Sequence, residues 1–568
     1  MDEAFDYVIA GGGSAGCVLA ARLSEDPATR VCLVEAGGEG RDLLIRAPAL
    51  TSLMLPGRPR LHNWAYRTVP QPGLNGRQGY QPRGRALGGC SAINAMIYVR
   101  GHPQDYDTWA AMGAGGWGWE SVLPWFRRAE SFMDAARRTG GADGAGEAET
   151  GGEGNGRGEG GAGDGHGTDR LRGTAGPLHV TSQRHPRPIS RAFVAAARAC
   201  RIAETPDFNG ARQEGAGLYQ FTRFHSGPHR GERCSAAAAW LHPAMARPNL
   251  TVLTRTRALR ITLEGGRATG LVVRRHGRDR TLGALREVIV AQGVFGSPQL
   301  LMLSGIGPGK ALRANGIAVA ADLPGVGANL SDHLDYGIIH HSLRHDGVGL
   351  NPRALGRLLR AGLRWRKSGE GLFASSMVEA GAFLRSSPGL ARPDLQVHFI
   401  PGIVDDHLRR PHMADGFTAH VCHLLPRSRG SVGLVSPDPF APPRIDPGFL
   451  SDPGDLAPLM AGARMLERIL EAPPLAPWRG RRLYPHDGSD EALEADIRAR
   501  ADSIYHPTGT CRMGSDPGAV TDPALCVRGV GALRVVDASV MPCPVSGNTN
   551  AAVLMIAERA AAMIRAGG

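Results

Sequence analysis

The chain has 568 residues, 42% of them hydrophobic, and carries 65 Lys+Arg against 53 Asp+Glu for a net charge of +12. That length and apolar content exclude wholesale disorder and predict more than one domain, with cores large enough to need no disulfide or metal staple. The basic balance does not predict a nucleic-acid partner, because only Lys310 and Lys367 are lysines and the arginines are scattered rather than gathered in one stripe.

In chain order, the acidic start (Asp2, Glu3, Asp6) is unlike a signal peptide. The run FDYVIA (5–10) predicts a strand, glycines follow, Ser14 to Leu23 predicts a helix, and VCLV (31–34) predicts a second strand ending on Glu35. This is the opening of a doubly wound sheet. Gly11-x-Gly13-x-x-Gly16 sits at its first turn. Gly11 permits the tight turn, Gly13 lets backbone approach a pyrophosphate, and Gly16 lets helix and strand pack closely. Glu35, 19 residues beyond Gly16, is placed to accept hydrogen bonds from ribose hydroxyls. A nicotinamide or a flavin dinucleotide would suit this pattern equally.

Further along, RGRALGGCSAINAMIYVRG (83–101) offers consecutive N–H donors at Gly88 and Gly89, and Asn94 can donate and accept. The same loop also reads as a glycine turn before a buried strand. From Asp134 to Arg170 there is no Val, Ile, Leu, Met, Phe, Trp or Tyr, which predicts a disordered surface insertion. Residues 250–290 alternate apolar and polar positions around Gly265-Gly266 and predict antiparallel strands. Val288 to Gly309 predicts a buried strand, a turn and a helix, and 395–435 predicts further strands.

Near the C-terminus, YHPTGTCRMG (505–514) sets Pro507 after His506 and so fixes the direction of a side chain suited to proton abstraction. In LRVVDASVMP (533–542), Asp537 ends a strand; in SGNTN (546–550), Asn548 and Asn550 precede a helix that runs to about Arg565, where Asn also serves as a cap. No metal site is predicted. There is no HExxH, His225 and His229 are separated by Ser-Gly-Pro, and the nine cysteines form no CxxC pair, which fits a reducing compartment.

Together these stretches, with GVFGSPQLLMLSGIGP (293–308) and LPGVGANLSDHLDY (323–336), resemble the glucose–methanol–choline (GMC) family of flavin oxidoreductases. Within it, LHNWAYRTVPQPGLNGR (61–77), LLPRSRGSVGLVSPDP (424–439) and IDPGFLSDPGDL (445–456) look most like bacterial dehydrogenases of primary aliphatic alcohols, with choline dehydrogenases sharing much of the pattern. The resemblance implies an α/β fold: a Rossmann-like FAD-binding domain with a second, α+β substrate-binding domain built on an antiparallel sheet. The expected boundaries are 1–133 and 176–325 for the FAD domain, 134–175 for the insertion, 326–495 for the substrate domain and 496–568 for a return to the FAD domain.

It further implies FAD held by Gly11, Gly13, Gly16 and Glu35 at the ADP half and by Asn94 and Gly88-Gly89 near the isoalloxazine and pyrophosphate. Val252 matches a backbone contact to adenine, and Asp537 and Asn550 match the flavin end. His506 matches the catalytic base and Asn548 the second active-site position. Covalent members carry histidine where this chain has Ile93, so dissociable FAD is expected. Asp335 matches a carboxylate that some choline-oxidising members use. The implied reaction is oxidation of a primary alcohol to the aldehyde by proton abstraction and hydride transfer to flavin N5. A quinone or similar carrier takes the electrons; choline dehydrogenation and oxygen-using alcohol oxidation are the alternatives. A cytoplasmic location is implied, with peripheral contact at the inner face of the cell membrane as a variant.

Overall fold

The computed structural model describes residues 3–133, 170–183, 186–349 and 354–567. Most of the glycine-rich insertion expected over 134–175 therefore lies outside the described residues. Its last part does not. Arg172 is buried and pairs with Glu130 and Asp207, each at 2.7 Å, so the expected end of the insertion at residue 175 falls too late.

The first sheet is built around Glu3–Ala10, which runs parallel to Val31–Val34 on one side and to Arg278–Val290 on the other. Leu250–Leu253 and Leu533–Val535 extend the parallel set. These strands are continuous apolar runs because both faces are covered: Val8, Ile9, Val31, Leu33, Ile289 and Val290 are buried. The long strand Arg278–Val290 also pairs antiparallel with Arg267–Arg275, which pairs with Thr256–Glu264 across the Gly265-Gly266 turn.

Helix Ser14–Leu23 covers one face and packs on the C-terminal helix Asn550–Ala566. Small residues let the two approach. A hydrogen bond from the Ser14 hydroxyl to Asn550 Oδ1 (2.8 Å) ties their N-termini together, and buried Glu558 accepts from Arg22 and from the Trp240 indole. A Cβ on Gly16 would lie 1.9 Å from the Gly11 carbonyl oxygen, so any side chain there would part helix from strand.

The second sheet is antiparallel, in the order Arg479–Arg482, Leu334–Ser342, Gly416–His423, Leu395–Ile400, Ala380–Leu384, Gly215–Leu218. Gly215–Leu218 corrects the expected boundary, since a strand from the stretch 176–325 belongs to this sheet. Likewise Asp502–Ser503, from the C-terminal stretch, pairs with Leu334–Asp335.

Helices Pro188–Ala199 and Leu456–Glu471 cover one face, with Phe193 stacked on Phe399 at 4.6 Å and Leu459 and Leu466 beside them. Side chains alternate across a strand. Tyr336, Ile338, Val397, Phe399, Ala419 and Val421 go to that helical core. Asp335, Gln396, His398 and His420 go to the opposite face, toward the first sheet.

Candidate active site

One continuous cavity of about 780 Å³ runs from the first glycine turn to the polar face of the second sheet. Gly11, Gly13, Glu35, Gly89, Asn94, Asp537, Asn550, His506 and Asn548 all line it.

At its first end, helix Ser14–Leu23 has Gly13 as its N-cap, no side-chain cap and no acid in its first turn. Its N-terminal N–H groups and dipole are thus available to an anion. Glu35 closes the turn: Oε2 accepts from Gly12 N–H (2.9 Å) and Oε1 from Gly37 N–H (2.7 Å). Burial pushes its carboxyl up to about 7 against those bonds.

Gly88 and Gly89 act differently from the donors expected. Their N–H groups are spent on the carbonyls of Gly12 and Ala86. Their use is close approach, since a Cβ on Gly89 would lie 2.7 Å from Gly13 Cα. The Asn94 side-chain oxygen accepts from Met96 N–H (3.0 Å) and Arg233 (2.8 Å), leaving its amide N–H₂ as the donor. Val252 pairs with Leu33 within the sheet and does not line the cavity; Thr256, Arg257 and Ala258, just beyond it, do.

Asp537 is engaged by protein. Oδ2 accepts from Gly293 N–H (2.8 Å) and the Ser297 hydroxyl (2.5 Å) at the start of helix Gly293–Leu303, and Oδ1 accepts from Ser539 N–H (2.8 Å). Asn550 is the first residue of its helix rather than its cap, a place taken by Thr549. Ile93 is buried on the cavity wall.

At the far end the chain segments 331–335 and 502–508 run antiparallel, through Leu334–Ser503 and Ser331–Thr508 pairing. That register sets the rings of His333 and His506 face to edge, 5.3 Å apart at 87°. His333 Nε2 lies 3.1 Å from the Leu424 carbonyl, which can only accept, so Nε2 carries the proton. His333 Nδ1 is then an acceptor, and it meets His506 Nδ1 at 3.1 Å. His506 must therefore hold its proton on Nδ1, which leaves a lone pair on Nε2. That nitrogen faces the Asn548 amide Nδ2 at 3.1 Å, while Asn548 Oδ1 accepts from Gln396 Nε2 (3.1 Å).

Burial, then neighbouring His333, His398 and Arg83, hold the His506 imidazolium form well out of reach at neutral pH. Burial takes His333 and His398 down to about 3. Asp332 fixes the His506 backbone from behind, accepting from its main-chain N–H (2.9 Å) and from the Ser503 hydroxyl (2.5 Å).

His333 was not singled out from the sequence, and neither was His398. In LQVHFI the alternation of Gln396 and His398 within an apolar strand was the signal available. On the same wall His420 Nδ1 contacts Asp335 Oδ2 at 2.6 Å. Asp335 Oδ1, both nitrogens of His398 and His420 Nε2 are buried without a protein partner. Asp335, His398 and Cys422 bring an oxygen, a nitrogen and a sulfur within 4.8 Å of one another.

The arrangement fits a bound dinucleotide flavin: an uncapped helix N-terminus and glycine cradle at one end, a neutral imidazole whose unprotonated Nε2 faces the Asn548 amide at the other, and open volume between. Gly11, Gly13, Glu35 and Asn94 are the residues that would hold it.

Comparison with known proteins agrees. The models described as GMC oxidoreductase match residues 5–335 and 426–557. An alcohol dehydrogenase [acceptor] of Pseudomonas putida is 42% identical over 565 residues, covering 99% of this chain and 95% of its own. The mitochondrial choline dehydrogenase of Homo sapiens is 41% identical over 578 residues, covering 99% and 90%. A solved formate oxidase of Aspergillus oryzae, studied for modification of its FAD, has a TM-score of 0.87 at 25% identity over 100% of this chain and 98% of its own. With both family models matched in order along one chain whose glycine turn and histidine–asparagine pair share a single cavity, the protein belongs to the GMC oxidoreductase family.

Proposed function

We propose that the protein oxidises a primary, aliphatic alcohol to its aldehyde with FAD bound without a covalent link, passing the electrons to a quinone-like acceptor. The observation that carries this reading is the fixed tautomer of His506, whose unprotonated Nε2 sits beside the Asn548 amide in the flavin-sized cavity. A hydroxyl placed between them donates to Nε2 and accepts from Asn548 Nδ2. As the proton moves to His506, the amide stabilises the negative charge growing on oxygen. Burial keeps the base neutral until substrate arrives. Bound FAD supplies the acceptor for the hydride that leaves the alcohol carbon.

Choline is the second reading, and one observation favours it. Asp335 Oδ1 stands buried and unpartnered on the cavity wall, where a carboxylate would attract a cationic substrate head. The relatives include both alcohol and choline dehydrogenases at nearly equal identity. Anaerobic reduction of the flavin by a panel of n-alkanols and choline tests the two. Faster reduction by alkanols supports the first reading. A higher kcat/KM for choline with the same artificial acceptor transfers the protein to the second, and no bleaching by any alcohol refutes both.

A further inference from the structure

Helix Ala354–Ser368 contains no Asp or Glu and ends in Arg366 and Lys367. Trp365 turns inward, packs with Ala47 and Ala374, and donates its indole N–H to the Gly231 carbonyl at 3.0 Å. At about 100° per residue, the opposite side of the helix is Leu359 and Leu363. They are 64% and 70% exposed. Arg366 falls on one flank of this pair and Arg360, Arg364 and Lys367 on the other. Glu370 lies 3.8 Å from Arg364 but pairs more closely with Arg230, at 2.6 Å.

The Trp365 cluster also joins this helix to the short helices Leu43–Arg46 and Thr51–Met54, through Ala47 and Leu50. Those helices present Leu43 and Leu53, 57% and 52% exposed. Thr51, Ser52 and Leu55 line the cavity. The leucine face and one rim of the active-site cavity thus belong to adjoining elements.

A polyanion such as RNA would use the cations and leave the leucines in water. A neutral protein groove would cover the leucines and gain nothing from cations on both flanks. An apolar apex between cationic flanks matches the depth profile of an anionic bilayer, where acyl chains lie beneath phosphates and long basic side chains reach back to them. We propose that the outer face of helix Ala354–Ser368, with Leu359 and Leu363 at its apex, docks the protein on anionic phospholipid membranes and sets the cavity rim near the lipid. The proposal does not depend on which alcohol is the substrate.

The test uses the flavin-loaded full chain and sedimentation with phosphatidylcholine vesicles that do or do not contain phosphatidylglycerol. The expected result is binding to the anionic vesicles that weakens with salt. Leu359→Asp/Leu363→Asp should lower partitioning at least about tenfold, and Arg360→Glu/Lys367→Glu should lower it about fivefold or more per site. Flavin absorbance and turnover with a soluble dye acceptor should not change in either variant. Should the aspartates disturb folding, Leu359→Ser/Leu363→Ser replaces them. No binding to anionic vesicles, or binding that both leucine variants leave intact, overturns the proposal. So does tight RNA binding with no vesicle binding, which would assign the cations to nucleic acid.

Discussion

Replacing His333 by leucine removes the group that dictates where His506 keeps its proton. In the wild type, the Leu424 carbonyl holds the His333 proton on Nε2 and so makes Nδ1 the acceptor for His506 Nδ1–H. Without that acceptor, His506 is free to carry its proton on Nε2, where it presents a donor to the alcohol instead of a lone pair. The lost lock is one buried hydrogen bond, about 1–3 kcal/mol, so flavin reduction should slow about 5- to 150-fold. The alcohol's dissociation constant should change little, because His333 touches no substrate. The same change strands the Leu424 carbonyl and the His506 imidazole Nδ1, at a stability cost of roughly 2–6 kcal/mol in all. Stopped-flow reduction under anaerobic conditions separates the two effects, with the flavin-to-protein ratio reporting folding. His333→Gln offers an amide oxygen to His506 and an amide N–H to Leu424 and should recover most of the rate. A fully flavinated His333→Leu protein that reduces at the wild-type rate would refute the tautomer argument.

His506→Ala should slow flavin reduction about 10²–10⁴-fold and Asn548→Ala about 10–10³-fold, with flavin retained in both. The double variant should fall short of the product of the two, since both groups act on one oxygen. Because burial lowers the His506 pKa, the acid limb of the wild-type reduction rate should lie below the ordinary histidine value near 6.5, and a limb at or above that value would contradict the geometry. His398, held at about 3 when folded, is neutral in both states above pH 6.5; below it the unfolded chain takes up the proton first and stability is lost as pH falls. His398→Phe should therefore gain on the order of 3 kcal/mol more at pH 4.5 than at pH 7.5, read from denaturant midpoints, and equal effects at the two pH values would count against a neutral buried ring. Acid precipitation should release yellow flavin into the supernatant, given Ile93 where a covalent histidine would stand, and flavin retained in the pellet would disprove a dissociable cofactor.

The opening strand, glycine turn, helix and second strand were legible because each is specified locally, by an apolar run, by glycines that permit close approach and by a strand ending on Glu35. The observed elements, Glu3–Ala10, Ser14–Leu23 and Val31–Val34, sit where those signals placed them. Gly215–Leu218 was not legible, since GAGL carries no strand pattern and its place in the second sheet is set by its partner Ala380–Phe383. Nor was the use of Gly88 and Gly89, because sequence shows that a side chain is missing but not which backbone fills the space. The histidine pair was half visible. His506 stands beside a proline in a distinctive stretch, whereas His333 acquires its role only from the antiparallel register between two segments 173 residues apart.

That register has a consequence for how the protein is made. The parallel sheet lacks its Leu533–Val535 strand, the first helix lacks its Asn550–Ala566 neighbour, and His333 lacks His506 until residues 506–566 have left the ribosome. At about 5–20 residues per second, roughly 25–100 s separate the second strand from those final pieces. Throughout that interval the nascent chain displays an uncovered, alanine-rich helix face and an open cofactor cradle. Maturation therefore hinges on these segments: a translation product that stops short of Asn548 has made most of both sheets, yet lacks the Asn550–Ala566 helix that packs on Ser14–Leu23 and the Asn548 amide that faces His506.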